Sequence, residues 1–241
     1  GWEFHDLTAY HFDTEKLAEV FYDVCLRNGV EFVDDKYIRA SKGEDGNIKS
    51  LKCENGTHEA DLFVDCTGFH SELLGKVMGV HYNSYADTLI NHRAIAAKIP
   101  YTDKNKQLTS YTNNVTMNNG WCYEIPLWDG MSVGYVHSLK FSTPEKIDKE
   151  FIDRYGVEPT KGVEFRTGRY DKAWVKNVAS VGLSFGFIEP LEATGLASIV
   201  TNVFRLLESL STHLSPNSFD REVFNHACAT ELDNSKTFID M

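Results

Sequence analysis

VASVGLSFGFIEPLEATGLASIV, residues Val178–Val200, is the stretch whose reading decides the fold. It divides into three pieces. Val178 to Leu183 is small and apolar, bounded by Asn177 and Gly186, as a buried strand is. Gly182 to Glu192 is a turn-rich crossing with two glycines, two carboxylates and Pro190. From Ala193 the period becomes helical, and Leu196, Ile199, Val200, Val203 and Leu207 share one face. A strand that crosses through Gly and Pro into a helix sets a helix N-terminus at the strand's carboxyl end. Open α/β sheets bind ligands there, and the unpaired first amides of the helix attract anions. Glu189 and Glu192 oppose an anion at that point unless one is turned away or takes part in chemistry.

Outward from this stretch, the chain splits into α/β ends and an antiparallel middle. Asp13 caps a helix with a Leu17, Val20, Phe21, Val24, Cys25 stripe, and Asn28-Gly29 ends it. Val30 to Val33 reads as a short strand. Tyr37–Ser41 and Ile48–Cys53 flank a Gly-rich turn, and Asn55-Gly56 marks a second hairpin turn. Ala60 to Cys66 is a buried strand running into Thr67-Gly68, which alone reads as a tight turn. Ser71 to Met78 is a short helix. Strands over Asp87–Ile99, Leu108–Met117, Trp121–Leu127 and Met131–Val136 form a meander, with Pro126 ending its strand or lying at an edge. Thr143-Pro144 opens a helix, Val163–Tyr170 is a further strand, and a polar helix runs from Asp220. We assign residues 1–85 and 162–241 to an α/β layer and 86–161 to an antiparallel subdomain. The first and last segments are expected to share a sheet.

The bulk numbers exclude several classes. A net charge of −11 with no basic stripe argues against nucleic-acid binding. The five cysteines are odd in number and widely spaced, so neither a disulfide framework nor a zinc motif is expected, and a reducing, cytoplasmic compartment is favoured. No apolar run is long enough for a membrane span, and no His spacing marks a metal site. The chain opens without Met and closes inside a helix, as a portion of a longer protein would.

Two constellations carry chemistry. Gly182-Leu183-Ser184-Phe185-Gly186 fits G-x-S-x-G, the nucleophile elbow of serine hydrolases. Its partners would be Asp220 and His226, which share one helix. Phe187-Ile188-Glu189-Pro190 also intervenes before any helix can start, so close backbone packing is the better reading. Glu192 precedes Thr194 and Gly195 at the helix start. On residue type alone it is an acid complementing the helix dipole. Gly120 to Leu127 is an aromatic strand, read as core before substrate wall.

Four segments together resemble the flavin-dependent halogenases of the tryptophan halogenase type. Ala9–Asp13 is similar to A-Y-H-F-D, Ala60–Gly68 to A-D-L-F-I-D-C-S-G, Gly120–Leu127 to G-W-x-W-x-I-P-L, and Gly182–Gly195 to G-L-x-x-G-F-x-E-P-L-E-S-T-G. The resemblance implies a flavin monooxygenase-like α/β (α+β) fold. It also implies reduced FAD, oxygen and a halide (chloride, bromide or iodide), which give hypohalous acid for attack on an electron-rich aromatic. Glu192 would be the catalytic carboxylate, and Thr194 and Gly195 would bind halide. Gly68, Gly182 and Pro190 would line the flavin side. Trp121, Ile125 and Pro126 would wall the site, Trp121 as the signature residue that suppresses monooxygenation. A separate flavin reductase would be the partner, and a homodimer is compatible.

The chain departs from the pattern at Tyr123, where the second Trp stands, and at Ala193, where Ser stands. No G-x-G-x-x-G occurs, and the family's catalytic Lys falls upstream, so no Lys here takes that role. The helices that cover substrate in tryptophan-specific members are also expected to be shortened. The rival of the same fold is a flavin hydroxylase, which Tyr123 favours and Trp121 opposes. A serine hydrolase acting through Ser184 and a non-catalytic remnant are the others.

Overall fold

A computed structural model describes residues 10–212 and 216–241, apart from the side chains of Glu192 and Thr212. Two compact units emerge. One joins the chain up to Asp34 with His92–Glu164, and the other joins Asp35–Asn91 with Phe165–Met241. This division groups the first helix with the meander, whereas the sequence reading placed residues 1–85 with 162–241.

In the first unit, five strands form one antiparallel sheet. Their order is Lys161–Glu164, Arg93–Ile99, Gly130–His137, Gly120–Leu127, Asn113–Met117. Alternation along Gly120–Leu127 sorts the side chains. Cys122 is fully buried in a core with Val133, Tyr135, Ile147 and Phe151, the last two from the helix Pro144–Tyr155. Trp121, Tyr123 and Ile125 occupy the other face. Pro126 pairs with Met131 on one side only, because the Asn113–Met117 strand stops opposite Glu124. Proline, which has no N–H, is tolerated at such an unpaired edge.

In this unit one reading holds and another fails. The helix Thr14–Arg27 forms with Asp13 as its cap, but none of its residues is buried. Its stripe stands open, with Val20 and Phe21 more than half exposed. Val30–Val33 forms no strand: among the described residues no edge pairs with it, and an unpaired strand is not stable in water.

The second unit is built on a parallel pair. Phe63–Asp65 runs beside Val178–Ser180, with Asp65 opposite Ser180, and Trp174–Val175 completes the sheet. The two ends of the unit's sequence therefore share a sheet, as expected. The hairpin Tyr37–Lys42/Ile48–Cys53 also forms and is extended by Thr57–Glu59. The segment Val163–Tyr170 is not one strand. Lys161–Glu164 joins the first unit's sheet, whereas Gly168–Tyr170 pairs with Tyr82–Ser84 and Gly186–Phe187 in the second.

The helix Thr194–Thr212 corrects the predicted face. Asn202 and Leu206 are buried, and Ile199 and Leu210 pack on the core, against the helix Ser218–Ile239. Leu196, Val200, Val203 and Leu207 are exposed. The helix is apolar over more than one stripe, so periodicity could not choose between them.

The first of the parallel strands ends at Asp65, opposite Ser180 at the end of the second. Its carboxylate is fully buried and accepts four hydrogen bonds: Leu73 N–H (2.8 Å), Leu74 N–H (2.8 Å), Thr67 N–H (3.0 Å) and Thr67 Oγ1–H (2.6 Å). It thereby ties the strand end to the first turn of Glu72–Val77, a short π-helical stretch. Unpaired buried donors are costly. Asp65→Ala is therefore expected to lower unfolding stability by about 3–5 kcal/mol in urea titration. A loss under about 1 kcal/mol would show that the carboxylate is dispensable.

Candidate active site

The crossing that follows Val178–Ser180 begins with a 3-10 turn, Gly182–Ser184. Gly182 has φ +73°, and a Cβ there would stand 3.2 Å from Ile199 of the long helix. Glycine is needed both for the left-handed backbone and for the close approach. Ser184 is fully buried and has no nucleophile's surroundings. Its hydroxyl donates to the Asp65 carbonyl (2.5 Å) and receives a hydrogen bond from Ser180 Oγ (2.8 Å). Ser71, in turn, donates to the Ser184 carbonyl at 2.7 Å. Asp220 caps its own helix by accepting from Asn217 N–H, and His226 is exposed. The G-x-S-x-G motif is thus a packing device, and the hydrolase reading is corrected.

Beyond Phe187 the chain makes a second 3-10 turn, Pro190–Glu192. Ala193 then takes φ +53°, and the helix starts at Thr194. A non-glycine residue in this region costs roughly 1–2 kcal/mol, and such strain concentrates where a backbone must aim groups at a ligand. The first amides of the helix have no intrahelical acceptor. Open space lies beside Gly195, with nothing within 4 Å of a Cβ placed there.

Glu189 is accounted for. It is 7% exposed, and Asn91 Nδ2 donates to its Oε1 at 2.9 Å. One of the two carboxylates of the crossing is therefore fixed in the protein interior. The other, Glu192, has its backbone at the end of the turn, and its side chain lies outside the described residues.

A cavity of about 230 Å³ opens at the helix start, lined among others by Gly182, Phe187, Thr194, Gly195, Ile199 and Leu232. It brings together three residues assigned from sequence, Gly182, Thr194 and Gly195. Pro190 and Gly68 do not line it. Gly68, at φ +64°, turns the chain after the parallel strand. Phe187 packs edge-on against Phe69 and Phe165, with centroids 5.4 and 5.3 Å away. The sequence reading missed this aromatic cluster, as well as Asp65, Ser71 and the Asn91–Glu189 pair. Their partners are remote in sequence, so no local motif marks them.

Trp121, Ile125 and Pro126 belong to the other unit. Trp121 meets Tyr123 edge-on, with centroids 6.3 Å apart. The Tyr123 ring lies across Gly134, where an added Cβ would come within 2.2 Å of it. Burial pushes the Tyr123 phenol above its ordinary pKa, so it stays protonated at neutral pH. His11 fixes the segment before the first helix. Its Nδ1 is 3.1 Å from the Pro126 carbonyl and its Nε2 is 3.1 Å from Thr112 Oγ1. The neighbouring Ala9 lies outside the described residues.

Residues 6–241 match the tryptophan halogenase family. The chain belongs to that family. It is 34% identical over 238 residues to the tryptophan 7-halogenase KtzQ of Kutzneria sp. (strain 744), covering 96% of this chain and 44% of that protein. It is 31% identical over 240 residues to the tryptophan 6-halogenase ThaL of Streptomyces albogriseolus, with the same coverage of both chains. Among solved structures it resembles MibH, a tryptophan 5-halogenase, with a TM-score of 0.89 at 33% identity over 96% of this chain and 44% of that one. The flavin monooxygenase-like α/β fold of the halogenases is thereby shown. The chain spans under half the length of these relatives.

Ser184→Ala should cost about 1–2 kcal/mol in denaturant unfolding, through the lost buried hydrogen bond. It should leave ester hydrolysis at the buffer rate in both proteins. Ser184-dependent cleavage of p-nitrophenyl acetate would contradict the packing role.

Proposed function

We propose that this chain carries the halide and substrate-facing part of a flavin-dependent halogenase acting on an electron-rich aromatic, an indole before a phenol. The observation that carries this reading is the turn at 190–195. There Ala193, at φ +53°, leads into a helix whose first amides lack intrahelical acceptors, with open space beside the Gly195 Cα and the carboxylate-bearing residue Glu192 just before it. A halide fits such a site by size and charge, held by N–H groups at the positive end of the helix dipole. With Glu189 buried against Asn91, only Glu192 of the pair is left for chemistry.

The cavity fits a halide and the edge of a planar ring, not a whole dinucleotide. The sequence also has no glycine-rich strand–turn–helix for a pyrophosphate. Gly182 and the helix start would border the reacting end of reduced FAD, with Gly68 in the turn that packs on Gly182–Ser184 and Pro190 in the turn before the helix. When bound, reduced FAD with oxygen supplies the two-electron oxidant that converts halide to an electrophilic halogen. Thr194 and Gly195 amides would hold the halide before that step. Glu192 would accept the proton that the ring loses after halogen attack, as a general base. Trp121 would contribute bulk that limits competing oxygenation, and Ile125 and Pro126 the wall beside it. A separate flavin reductase would supply the reduced cofactor.

Relatives of nearly equal identity carry 7-, 6- and 5-halogenase names. Overall similarity therefore does not assign a ring position to this chain. Tyr123 and Ala193 are where the chain departs from the pattern it resembles.

The full-length gene product, supplied with flavin reductase, NADH, FAD and each halide in turn, is expected to give halogenated indoles by mass spectrometry. Glu192→Gln should lower the rate by about 10²-fold or more while FAD binding is kept. Oxygenated product alone would replace this reading with the hydroxylase one.

A further inference from the structure

A second cluster of chemically capable side chains lies in the hairpin layer of the second unit. Asp35 precedes the strand Tyr37–Lys42, Cys53 ends the strand Ile48–Cys53, and His58 lies in Thr57–Glu59. Cys53 N–H donates to the Gly56 carbonyl at 2.9 Å, closing the turn that brings Cys53 and His58 together. One carboxylate oxygen of Asp35, one ring nitrogen of His58 and the Cys53 sulfur all lie within 4.8 Å of one another. Among the described residues this is the cluster that meets such a distance limit.

Several features exceed what a surface ion pair requires. The Asp35 side chain is 5% exposed and Cys53 is 7% exposed. His58 Nε2 is buried with no hydrogen-bond partner, although the rest of its ring is substantially exposed. It stands 3.8 Å from Asp35 Oδ2, beyond hydrogen-bond reach. A buried ring nitrogen without a partner is an exception that calls for a cause.

Asp35 is also oriented from behind. Its Oδ1 accepts the amides of Lys36 (2.8 Å) and Asn55 (3.1 Å) and the Asn55 side chain (3.1 Å). This leaves Oδ2, with one longer contact to the Asn55 amide (3.2 Å), facing His58. Hydrogen bonds of this kind orient the carboxylate ligands of metals. Gly56 keeps the remaining side clear, since a Cβ there would stand 3.5 Å from His58 Nε2 and 4.0 Å from Asp35 Oδ2.

We propose that Asp35, Cys53 and His58 form a binding site for a borderline divalent metal, zinc(II) by preference, that pins the hairpin layer. The donor set decides the class. Thiolate and imidazole exclude calcium and magnesium, which take oxygen ligands, and suit zinc in a tetrahedral site with water in the fourth place. Zinc–ligand bonds of about 2.0–2.3 Å put neighbouring ligand atoms roughly 3.3–3.8 Å apart. The three side chains need to close by about 1 Å, a rotamer-scale movement. The metal replaces the Cys53 thiol proton, which leaves to solvent, and no oxidation state changes. The ligands come from three separate segments with no paired-Cys or paired-His spacing, so the sequence did not disclose them.

The test uses the reduced protein stripped with chelator and titrated with cobalt(II), then zinc(II). One equivalent of cobalt should give a thiolate-to-cobalt charge-transfer band, and zinc should abolish it stoichiometrically. Cys53→Ser should remove the band, and His58→Gln should weaken zinc binding at least tenfold, while the exposed-thiol variant Cys25→Ser leaves both unchanged. Circular dichroism of each metal-free variant checks the fold. Because the His58 side chain is 42% exposed, against 7% for Cys53, His58→Gln keeps the test independent of any misfolding of Cys53→Ser. No band and no zinc binding at micromolar metal would overturn the site. Binding that is equal in wild type and His58→Gln would do the same.

Discussion

The buried carboxylate of Asp65 is the constraint on which the second unit depends. A charge removed from water must have its lone pairs filled, and here they are filled by backbone and hydroxyl donors from the turn and helix that follow its own strand. The same residue's carbonyl accepts from Ser184 Oγ and lies 3.2 Å from the Val181 amide nitrogen that donates to it. One residue thus ties together the two loops at the carboxyl ends of the parallel strands. Ser71 adds a second tie, accepting from Gly75 N–H and donating to Ser184 O. Both loop bases are thereby held, and farther along the crossing the Ala193 amide donates to the Pro190 carbonyl at 3.0 Å.

The parallel strand pair, the meander and the capped helices were legible in the sequence because each is written in local period and turn chemistry. Asn55-Gly56, Asp129-Gly130 and Thr143-Pro144 all fall where the structure turns or starts a helix. Faces were less legible than elements. The Leu196–Leu207 stripe and the Val20–Phe21 stripe are as apolar as any core face, yet both are exposed in this chain. Periodicity reports that a face can be buried, not that a partner covers it. Val30–Val33 failed for the same reason, since a strand needs an edge to pair with.

The site divides in the same way. Thr194, Gly195 and Gly182, which line one cavity, were proposed from sequence because glycine and a strand-to-helix crossing leave a local signature, strengthened by the resemblance in Phe187–Gly195. The distinction between Glu189 and Glu192 was not local. It rests on Asn91, nearly a hundred residues away in sequence, whose amide takes Glu189 into the interior. Tyr123, whose ring lies across Gly134, was likewise legible only as a departure from the resembled pattern, not as a contact.

The central claim is that the helix start at Thr194 and Gly195 is a halide site. The most direct measurement is anomalous diffraction from crystals of the full-length gene product grown in bromide. The account predicts a bromide peak within hydrogen-bond distance of the Thr194 and Gly195 amides. Bromide bound elsewhere in an ordered crystal, with no peak at these two amides, would contradict it.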